Sequence, residues 1–565
     1  MRFQLLTSAH LSTSRGPVVR LCGRDEDGRS VVLSFHDQLP FFYVRATDKV
    51  AVGTAAQAFE AGVLLQNGIN SALNERLRHP EHHTSSDHAT TDRSGRRLSW
   101  NHVVEATWMF AHDFYGFSST AKNYLRLTFA SVEAAQRARS ILTKPLGDAK
   151  FTASLPLRTL EAWFANNDAD SGILRTACTG TTDPLPRSRY QFVLAEANIA
   201  FDHQLIERLS LSHGAWVDVD LAKTHRDVIA MAATHRLVAG QMGTRAGALE
   251  CVTPASLSRI ADVRVCAFDL ETYCKPVGDA MRFFDGDEAE AKLLCVSTAA
   301  WIVGKSNIQI TVFALDDVDE VTTEKATNGV DDVEVRWFTD ERNLIRAFFG
   351  YLVSEFDADI ITGWNTERFD WAWLIKRCAA LNVSLDCLAR FGSVTVDTSE
   401  RAWQLVSIPG RIVHDLMLWF KRNRSLREYS LQYVATENQL DGKDDVAYSD
   451  IHQLFHDRTG RVKLAVYCAL DSTLVIRLMQ RKSLDPLGKT LAISQLTGVP
   501  PEDQLYRGSM NTLRLAMLRA AHKDGFVLSC PSHVDAEPEF IATNDDDAGE
   551  ARYQGAVLIQ AFRFC

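Results

Sequence analysis

The amino-acid sequence predicts an α/β protein whose second half forms a mixed β-sheet flanked by helices, preceded by a mixed α+β region. Between about residues 262 and 481, three strand-like apolar runs follow one another, and helical and strand-like runs then alternate. This order favours a sheet with antiparallel and parallel pairs and with helices on its faces. The amino-terminal residues instead contain short strand-like runs that end at LPFFYVRA, followed by mixed strands and helices.

The composition is that of an ordinary soluble globular protein, with 46% hydrophobic and 23% charged residues. A chain of 565 residues is too long for one core, so three or more domains are expected. The formal net charge of -10 gives no support to a duplex-binding protein, although a local basic groove can coexist with an acidic whole. Eleven cysteines without a Cys-x-x-Cys pair indicate reduced thiols and no structural zinc. No apolar run is long enough to span a membrane.

Near the amino terminus, PVVRLCG and SVVLSF flank an Asp-Gly turn at Asp27–Gly28, which predicts a β-hairpin. The opening residues lack acids and carry Ser, Thr and Arg, so a transit peptide is the alternative. An amphipathic helix is expected over residues 50–77, and a polar segment follows at 79–99. A solvated insertion loop is favoured there over a metal site, although four histidines cluster in it: His79, His82, His83 and His88.

The stretch VRVCAFDLETYC, residues 263–274, places two carboxylates at the end of an apolar strand pattern. The run is apolar at both alternating sets of positions, as in a strand covered on both faces. Residues two apart in a strand point the same way, so Asp269 and Glu271 share a face. Two carboxylates this close repel each other unless a cation or proton lies between them. A strand ending in a solvated turn also explains the pair, so further ligands are needed.

Two later stretches supply further acids. In ADIITGWNTERFDWAWLIKR, an apolar strand runs to Asn365, and Phe369 and Asp370 then begin a helical spacing; an acid in a first turn also meets the helix dipole favourably. In KLAVYCALDSTLVIRLMQRK, Tyr467 and Asp471 share one helix face. An acid on the buried side of that helix is costly unless it is paired or bound to metal. The apolar neighbours that mark the buried side are Leu464, Val466, Leu470 and Leu474.

In this order and at these separations, DLE, NxxxFD and YxxxD resemble the three exonuclease motifs of family B DNA polymerases. The segments IITGWN, SIPGRIVHDL, SLREYSLQYVA and LTGVPPEDQLYRG resemble the flanking stretches, and RYQGA resembles the Tyr-x-Gly signature between the exonuclease and polymerase modules. The amino-terminal part is similar to the DNA polymerase delta branch. The resemblance implies three regions: an α+β domain over 1–260 with a disordered insertion near 79–99, a ribonuclease H-like 3′-5′ exonuclease domain over 261–485, and a helical connection over 486–565 that begins a truncated polymerase module.

By this resemblance, two Mg²⁺ or Mn²⁺ ions would be held by four carboxylates, those of Asp269, Glu271, Asp370 and Asp471. Hard oxygen ligands suit these ions, which together hydrolyse a phosphodiester. Asp269 would bridge the ions, Glu271 and Asp471 would complete the site that activates water, and Asp370 would support the second ion. Tyr467 would orient the attacking water or the scissile phosphate.

The resemblance also implies DNA as the partner, through a single-stranded 3′ end or a primer terminus, together with replication accessory subunits and a nuclear location. Asn365 and Phe369 would shape the DNA pocket, although Phe369 is equally consistent with the core. The expected contacts of the last motif are Arg552, Tyr553 and Gly555. The densest basic run, KRNRSLR, contributes Lys421, Arg422, Arg424 and Arg427, and either contacts DNA or is a solvated helix end.

The family's Asp-Thr-Asp polymerase motif has no counterpart in the sequence, so nucleotide addition is not expected from this chain. Two alternatives to a family B exonuclease stay open. The first is a non-catalytic DNA-binding or scaffold remnant of such a polymerase, against which the intact set of acids argues. The second is a free-standing exonuclease outside family B, which leaves the long amino-terminal region and RYQGA unexplained.

Overall fold

The first half of the chain is built mainly from strands. The computed structural model describes residues 1–13, 16–36, 38–45, 66–67, 69–70, 102–114, 121–142, 193–226, 235–239, 249–251, 260–277, 280–316, 321–327, 331–399, 405–440 and 448–528. These residues all lie in one unit, Met1–Cys530. In chain order the strands of this half are β1 Arg2–Thr13, β2 Gly16–Asp25, β3 Ser30–Phe35, β4 Phe41–Arg45, β5 Val103–Asp113, β6 Lys122–Phe129, β7 Val193–Ala195, β8 Trp216–Val219, β9 Thr224–Arg226, β10 His235–Ala239 and β11 Leu249–Cys251.

The second half combines strands with most of the described helices. Its strands are β12 Arg264–Thr272, β13 Cys274–Val277, β14 Ala280–Phe283, β15 Leu293–Ile302, β16 Ile308–Leu315, β17 Thr322–Thr327, β18 Asp332–Phe338, β19 Ile360–Gly363, β20 Thr395–Val396, β21 Val406–Ser407, β22 Ile412–Asp415 and β23 Phe526–Val527. The α-helices that the structure describes in both halves are α1 Val132–Leu142, α2 Phe201–Arg208, α3 Glu341–Gly350, α4 Asp370–Ala380, α5 Leu416–Asn423, α6 Leu431–Glu437, α7 Tyr448–Leu454, α8 Arg458–Gln480, α9 Pro486–Thr497, α10 Pro501–Tyr506 and α11 Gly508–Lys523.

A seven-stranded mixed sheet forms the centre of the second half, in the order β17-β18-β16-β15-β12-β19-β22. Strand β12 pairs antiparallel with β15 and parallel with β19, and β19 pairs parallel with β22. Helices α3 and α4 pack on one face, whereas α5 and α8 pack on the other, because each presents its apolar side chains to the sheet. The predicted α/β class, a ribonuclease H-like mixed sheet flanked by helices, is confirmed.

Two further sheets belong to the amino-terminal half. One has seven strands in the order β11-β8-β1-β2-β3-β10-β9, and the other has five in the order β23-β5-β6-β4-β7. Strands β2 and β3 pair antiparallel with Val19 opposite Phe35, and the connecting turn contains Gly28 at φ +74°. The hairpin predicted around Asp27–Gly28 is therefore confirmed. After the central sheet the chain is helical through α9, α10 and α11, as the sequence predicts for residues beyond 486.

Some elements depart from the sequence-based expectation or lie beyond it. Strand β17 was not predicted, because its sequence TTEKAT is polar and mostly exposed and carries no apolar alternation. Most of the predicted helix at 50–77, the histidine-rich segment 79–99 and the residues 529–565 lie outside the described residues. The domain boundaries near 260 and 485 stay predictions. Among the described helices, none is long and apolar enough to cross a membrane.

A buried cluster of charges joins the amino-terminal sheet to the central one. Arg24 on β2 donates from Nε to Oδ2 of Asp359, the residue just before β19, at 2.7 Å. A terminal guanidinium nitrogen of Arg24 donates to Asp357 Oδ2 at 2.9 Å. Arg390 donates to the other oxygen of Asp359 at 2.8 Å, and Arg411 pairs with Asp357 at 3.2 Å. Burial alone would raise the pKa of Asp359, but Arg24 and Arg390 outweigh it and hold the pKa below its ordinary value. The two sheets are thus joined by ion pairs whose arginines are buried.

Candidate metal centre

The pleat of β12 sorts its residues into a core face and a face that carries the acids. Cys266, Phe268 and Leu270 are buried in the cluster formed with α3 and α4. Val265 and Ala267 point the other way and pack in the cluster that contains α8. Because side chains alternate along a strand, Asp269 and Glu271 continue the second set and lie under α8.

Helix α8 supplies the third acid. Its first turn is capped by Asp457, which accepts from Gly460 N at 2.7 Å, and its middle is tied to β15 by Ser297 Oγ, which donates to Cys468 O at 2.8 Å. Ser297 Oγ also lies 3.0 Å from Ser472 Oγ, and Asp471 is the residue directly before Ser472. Asp471 and Tyr467, four residues earlier, are both half-buried. The sequence predicts Asp471 on the buried face of this helix, and the structure places it there as a half-buried residue next to the buried Ser472.

Three of the predicted carboxylates come together. One oxygen each of Asp269, Glu271 and Asp471 lies within 4.8 Å of the others. Three carboxylates at this spacing repel each other strongly unless positive charge or protons offset them. The donors are all hard oxygen atoms, so the set fits Mg²⁺ or Mn²⁺ and not a thiophilic ion.

Asp370 lies beside this group but does not belong to the 4.8 Å set found among the described residues. It is the first residue of α4, as its sequence position predicts, and only 2% of its surface is exposed. Its Oδ1 accepts from Leu270 N at 3.2 Å. Burial raises the pKa of Asp370 well above its ordinary value, and the negative charges of Asp415 and Asp471 raise it further.

The end of β19 explains how Asp370 reaches β12. The register of the two strands ends at Ala267 opposite Thr362, so Leu270 lies beyond the paired part of that edge. Gly363 closes β19, and a Cβ at this position would lie 2.7 Å from Phe268 O and 2.3 Å from Thr366 Cγ2. A glycine is therefore required for the chain to pass this close to β12 before it turns into α4.

The loop between β19 and α4 contains the two residues predicted to shape the DNA pocket. Asn365 adopts φ +62°, a left-handed conformation that asparagine tolerates better than most residues, and its N–H donates to Asp415 Oδ1 at 3.1 Å. Phe369 is 47% exposed. The alternative that Phe369 is an ordinary core residue is therefore wrong, because nearly half of its surface is exposed to solvent.

Two buried acids next to this loop were missed by the sequence analysis. Asp415 accepts from Met417 N at 2.9 Å as the N-cap of α5, and burial raises its pKa. Glu367 accepts from Leu405 N at 2.7 Å and from the Tyr506 hydroxyl at 3.1 Å, and burial raises its pKa to about 7. An Asp directly before an apolar helical run is a cap signature that could have identified Asp415. Glu367 has no such local signal, because its partners come from distant segments.

A buried thiol adjoins the acids and was also missed. Cys468 Sγ lies 3.4 Å from Asp269 O and 3.6 Å from Asp269 Oδ2. Burial raises the pKa of this thiol well above its ordinary value, and a hydrogen bond with Cys295 raises it further. Cys468 is therefore held as a neutral thiol that can donate toward Asp269 and does not compete with the carboxylates as a thiolate.

The remaining predicted DNA contacts fall into two groups. Arg552, Tyr553 and Gly555 lie outside the described residues. The basic run at the end of α5 and just beyond it is described, and Lys421, Arg422, Arg424 and Arg427 are all exposed.

Comparisons with known proteins agree with this geometry. Residues 206–434 match the family model described as "DNA polymerase family B, exonuclease domain". The DNA polymerase delta catalytic subunit of Drosophila melanogaster is 30% identical over 223 residues, which are 37% of this chain and 19% of the fly protein. That of Mesocricetus auratus is 22% identical over 525 residues, which are 91% of this chain and 41% of the hamster protein.

Among solved structures, the family B DNA polymerase from the hyperthermophilic archaeon Pyrobaculum calidifontis has a similar fold. The TM-score is 0.57 at 18% identity, and the match covers 93% of this chain and 51% of the archaeal chain. The chain thus spans less than half the length of the curated relatives named above. Residues 206–434 are thus similar to the exonuclease domain of DNA polymerase family B, and the fold of the chain is similar to that of a family B polymerase.

Proposed function

We propose that this chain is a metal-dependent 3′-5′ exonuclease that removes nucleotides from DNA, as the proofreading part of a delta-like polymerase acting in DNA replication. The observation that carries the proposal is the cluster of Asp269, Glu271 and Asp471 within 4.8 Å. Asp269 and Glu271 lie inside residues 206–434, which match the family B exonuclease model, and Asp471 lies beyond that match. A solvated strand end has no need of three converging carboxylates from two separate elements. A location in the nucleus follows from the same proposal.

The chain's own residues have distinct tasks in this proposal. Asp269, Glu271 and Asp471 would hold two Mg²⁺ or Mn²⁺ ions, with Asp370 supporting the second through its place beside Asp471. When bound, such ions supply activation of water and neutralisation of charge on the leaving oxygen. Asp370 is kept in position by the Leu270 N–H. Tyr467, one helical turn before Asp471, would orient the attacking water or the scissile phosphate through its hydroxyl.

The proposal extends to partners and to the division of the chain. A single-stranded 3′ end or primer terminus is the proposed substrate, contacted by Asn365 and Phe369, and beyond the described residues by Arg552, Tyr553 and Gly555. Replication accessory subunits are further proposed partners. We take the amino-terminal domain to end near residue 260 and the exonuclease domain near residue 485.

The test compares the wild-type chain with Asp269→Asn and Asp471→Asn, which keep side-chain size but remove charge. With 5′-labelled single-stranded DNA, the wild type should shorten the strand from its 3′ end only when Mg²⁺ or Mn²⁺ is present. Each variant should lose more than about a hundredfold in rate, since even outer partners of metal ligands typically contribute ten- to a hundredfold. Asp332→Asn, at an exposed acid that begins β18, is the matched control and should cleave normally.

The rival function is a DNA-binding scaffold without catalysis. It is favoured if the wild-type chain folds, as judged by circular dichroism, yet leaves the labelled strand intact with both metal ions. Normal cleavage by folded Asp269→Asn and Asp471→Asn would remove the carboxylate cluster from the reaction and so contradict the proposed mechanism.

A further inference from the structure

A segment of exposed positive charge covers the last turn of α5 and the residues just after it, and it has no task in the proposed chemistry. The basic segment, residues 421–427, contains four exposed cations: Lys421, Arg422, Arg424 and Arg427. None of them forms an ion pair with an acid among the residues that the structure describes. Cations in the last turn of a helix are stabilised by its dipole, which accounts for Lys421 and Arg422. Arg424 and Arg427 lie beyond the helix, so this effect does not explain them.

One tyrosine fixes the backbone of the basic segment through hydrogen bonds. The Tyr429 hydroxyl donates to Arg424 O at 2.7 Å and accepts from Leu426 N at 3.2 Å. The Lys421 ammonium lies 5.7 Å from the centre of the Tyr429 ring. These contacts hold the backbone that presents the guanidinium groups, so less conformational entropy is lost when a ligand binds them.

The same tyrosine connects the basic segment to the candidate metal centre. Tyr429 O accepts from the indole N–H of Trp364 at 3.0 Å, and Trp364 directly precedes Asn365 in the loop that leads to Asp370. At the other end of α5, the cap Asp415 accepts from Asn365 N. The loop before α4 is therefore bonded to the N-cap of α5 and to Tyr429, which lies beyond the other end of α5, so the basic segment has a defined position relative to the acids.

We propose that the basic segment binds the phosphates of the single strand whose 3′ end reaches the candidate metal centre. This inference rests on the proposed function, and it names the surface that carries the strand. The whole chain has a net charge of -10 and repels a polyanion, whereas residues 421–428 contain four cations and one acid, Glu428. Arginine guanidinium groups pair with phosphate oxygens through two parallel hydrogen bonds. The exposed ring of Phe369 offers a nearby surface for base stacking.

The experiment measures how strongly salt weakens DNA binding. The full chain in EDTA, which prevents cleavage, is titrated with a fluorescent oligothymidylate of about 16 nucleotides at several salt concentrations. The slope of log K against log salt is negative, and each lost phosphate contact with a single strand reduces its magnitude by about 0.7. R424Q/R427Q should therefore reduce the magnitude by about 1.4. The matched control is R342Q/R346Q, which removes two exposed arginines from α3 on the other face of the sheet and should keep the wild-type slope.

Each outcome decides one of the two proposals. An unchanged slope in R424Q/R427Q overturns this inference, even if the enzyme degrades DNA, and leaves an acidic protein surface as the segment's partner. An equal fall in the control overturns it as well, because net charge alone would then explain the effect. The nitrophenyl ester of thymidine 5′-monophosphate has no DNA strand for the basic segment to bind. Its hydrolysis should therefore be equal in wild type and R424Q/R427Q. If the wild type hydrolyses neither the labelled single-stranded DNA nor the nitrophenyl ester, the proposed exonuclease function is refuted. The salt slopes still decide whether the basic segment binds DNA.

Discussion

At the scale of single residues, replacing Phe369 distinguishes a role in stability from a role in DNA binding. Its ring is 47% exposed at the start of α4, so replacement by Ala should change the free energy of unfolding by no more than about 0.5 kcal/mol. If a DNA base stacks on the ring, Phe369→Ala should weaken binding of a short oligothymidylate by about 1–3 kcal/mol. Fluorescence anisotropy measures the affinity, and a urea titration measures the stability.

The control for this prediction is Leu496→Ala, since Leu496 is 80% exposed on α9 and far along the chain from the loop. It should bind DNA like the wild type. A Phe369→Ala protein that binds normally but unfolds much more easily would contradict the assignment of this ring to DNA.

Glu367 makes stability depend on pH in a defined direction. Burial raises its pKa to about 7, although hydrogen bonds from Leu405 N and the Tyr506 hydroxyl lower it. A raised pKa means that the folded state holds the proton more tightly, so stability is full below the unfolded value and is lost as pH rises toward 7. The shift corresponds to about 3 kcal/mol. Glu367→Gln should therefore be more stable than the wild type at pH 8 by up to this amount, and nearly equal to it at pH 4.5.

Urea midpoints of the two proteins across this pH range measure the difference. Glutamine can keep the acceptor for Leu405 N, while the Tyr506 hydroxyl can turn toward Val413 O, which lies 3.4 Å away. Glu437→Gln, at an exposed site on α6, should reproduce the wild-type profile. Parallel profiles of wild type and Glu367→Gln would show that this carboxyl is ionised in the folded protein.

At the scale of elements, the position of α8 determines where Asp471 lies. Ala469 is fully buried between this helix and the sheet, two residues before Asp471. Leucine at this position adds volume where there is no space, so Ala469→Leu should destabilise the fold by about 1–3 kcal/mol. The same displacement moves Asp471 away from Asp269, so the rate of DNA degradation should fall at temperatures where the variant is still folded.

The matched variant is Lys463→Leu, which places the same side chain on an exposed position of α8. It should keep both the urea midpoint and the exonuclease rate. A stable and fully active Ala469→Leu protein would mean that the helix tolerates displacement without loss of the site.

Local sequence patterns predicted some of these elements and site residues but not others. A run apolar at both alternating sets of positions was enough to place β12, and the two-residue period of a strand put Asp269 and Glu271 on one face. Helical spacing was enough to place Asp370 at the start of α4. The exposed strand β17 was not predictable, since its polar residues carry no period and its pairing with β18 comes from the tertiary fold. Cys468 and Glu367 were missed for a related reason: their partners are distant in sequence, and no spacing rule connects them.

At the scale of the whole molecule, the buried ion pairs between the two large sheets should contribute strongly to stability. Arg24→Ala leaves the buried Asp359 and the half-buried Asp357 without one of their cations, and breaking a buried pair such as Arg24–Asp359 typically costs about 3–5 kcal/mol. The urea midpoint of the variant should fall accordingly. Limited proteolysis should then cut the linkers between the sheets sooner.

Arg29→Ala is the control, because Arg29 pairs with Asp27 at an exposed turn of the same sheet. Its midpoint should match that of the wild type. If Arg24→Ala unfolds like the control, the ion pairs between the sheets do not hold them together.

The central strand β12 contributes alternate residues to the core and to the candidate metal centre. Whether an insertion into this strand has an odd or an even number of residues therefore decides which face each later side chain points to. Inserting one residue between Val265 and Asp269 would exchange the two sets, turning the carboxylates toward Phe348 and Trp371 and the apolar side chains toward α8. Inserting two residues would restore the original sides at the cost of a local bulge. Lineages that carry this strand are therefore expected to tolerate length changes here only in even steps.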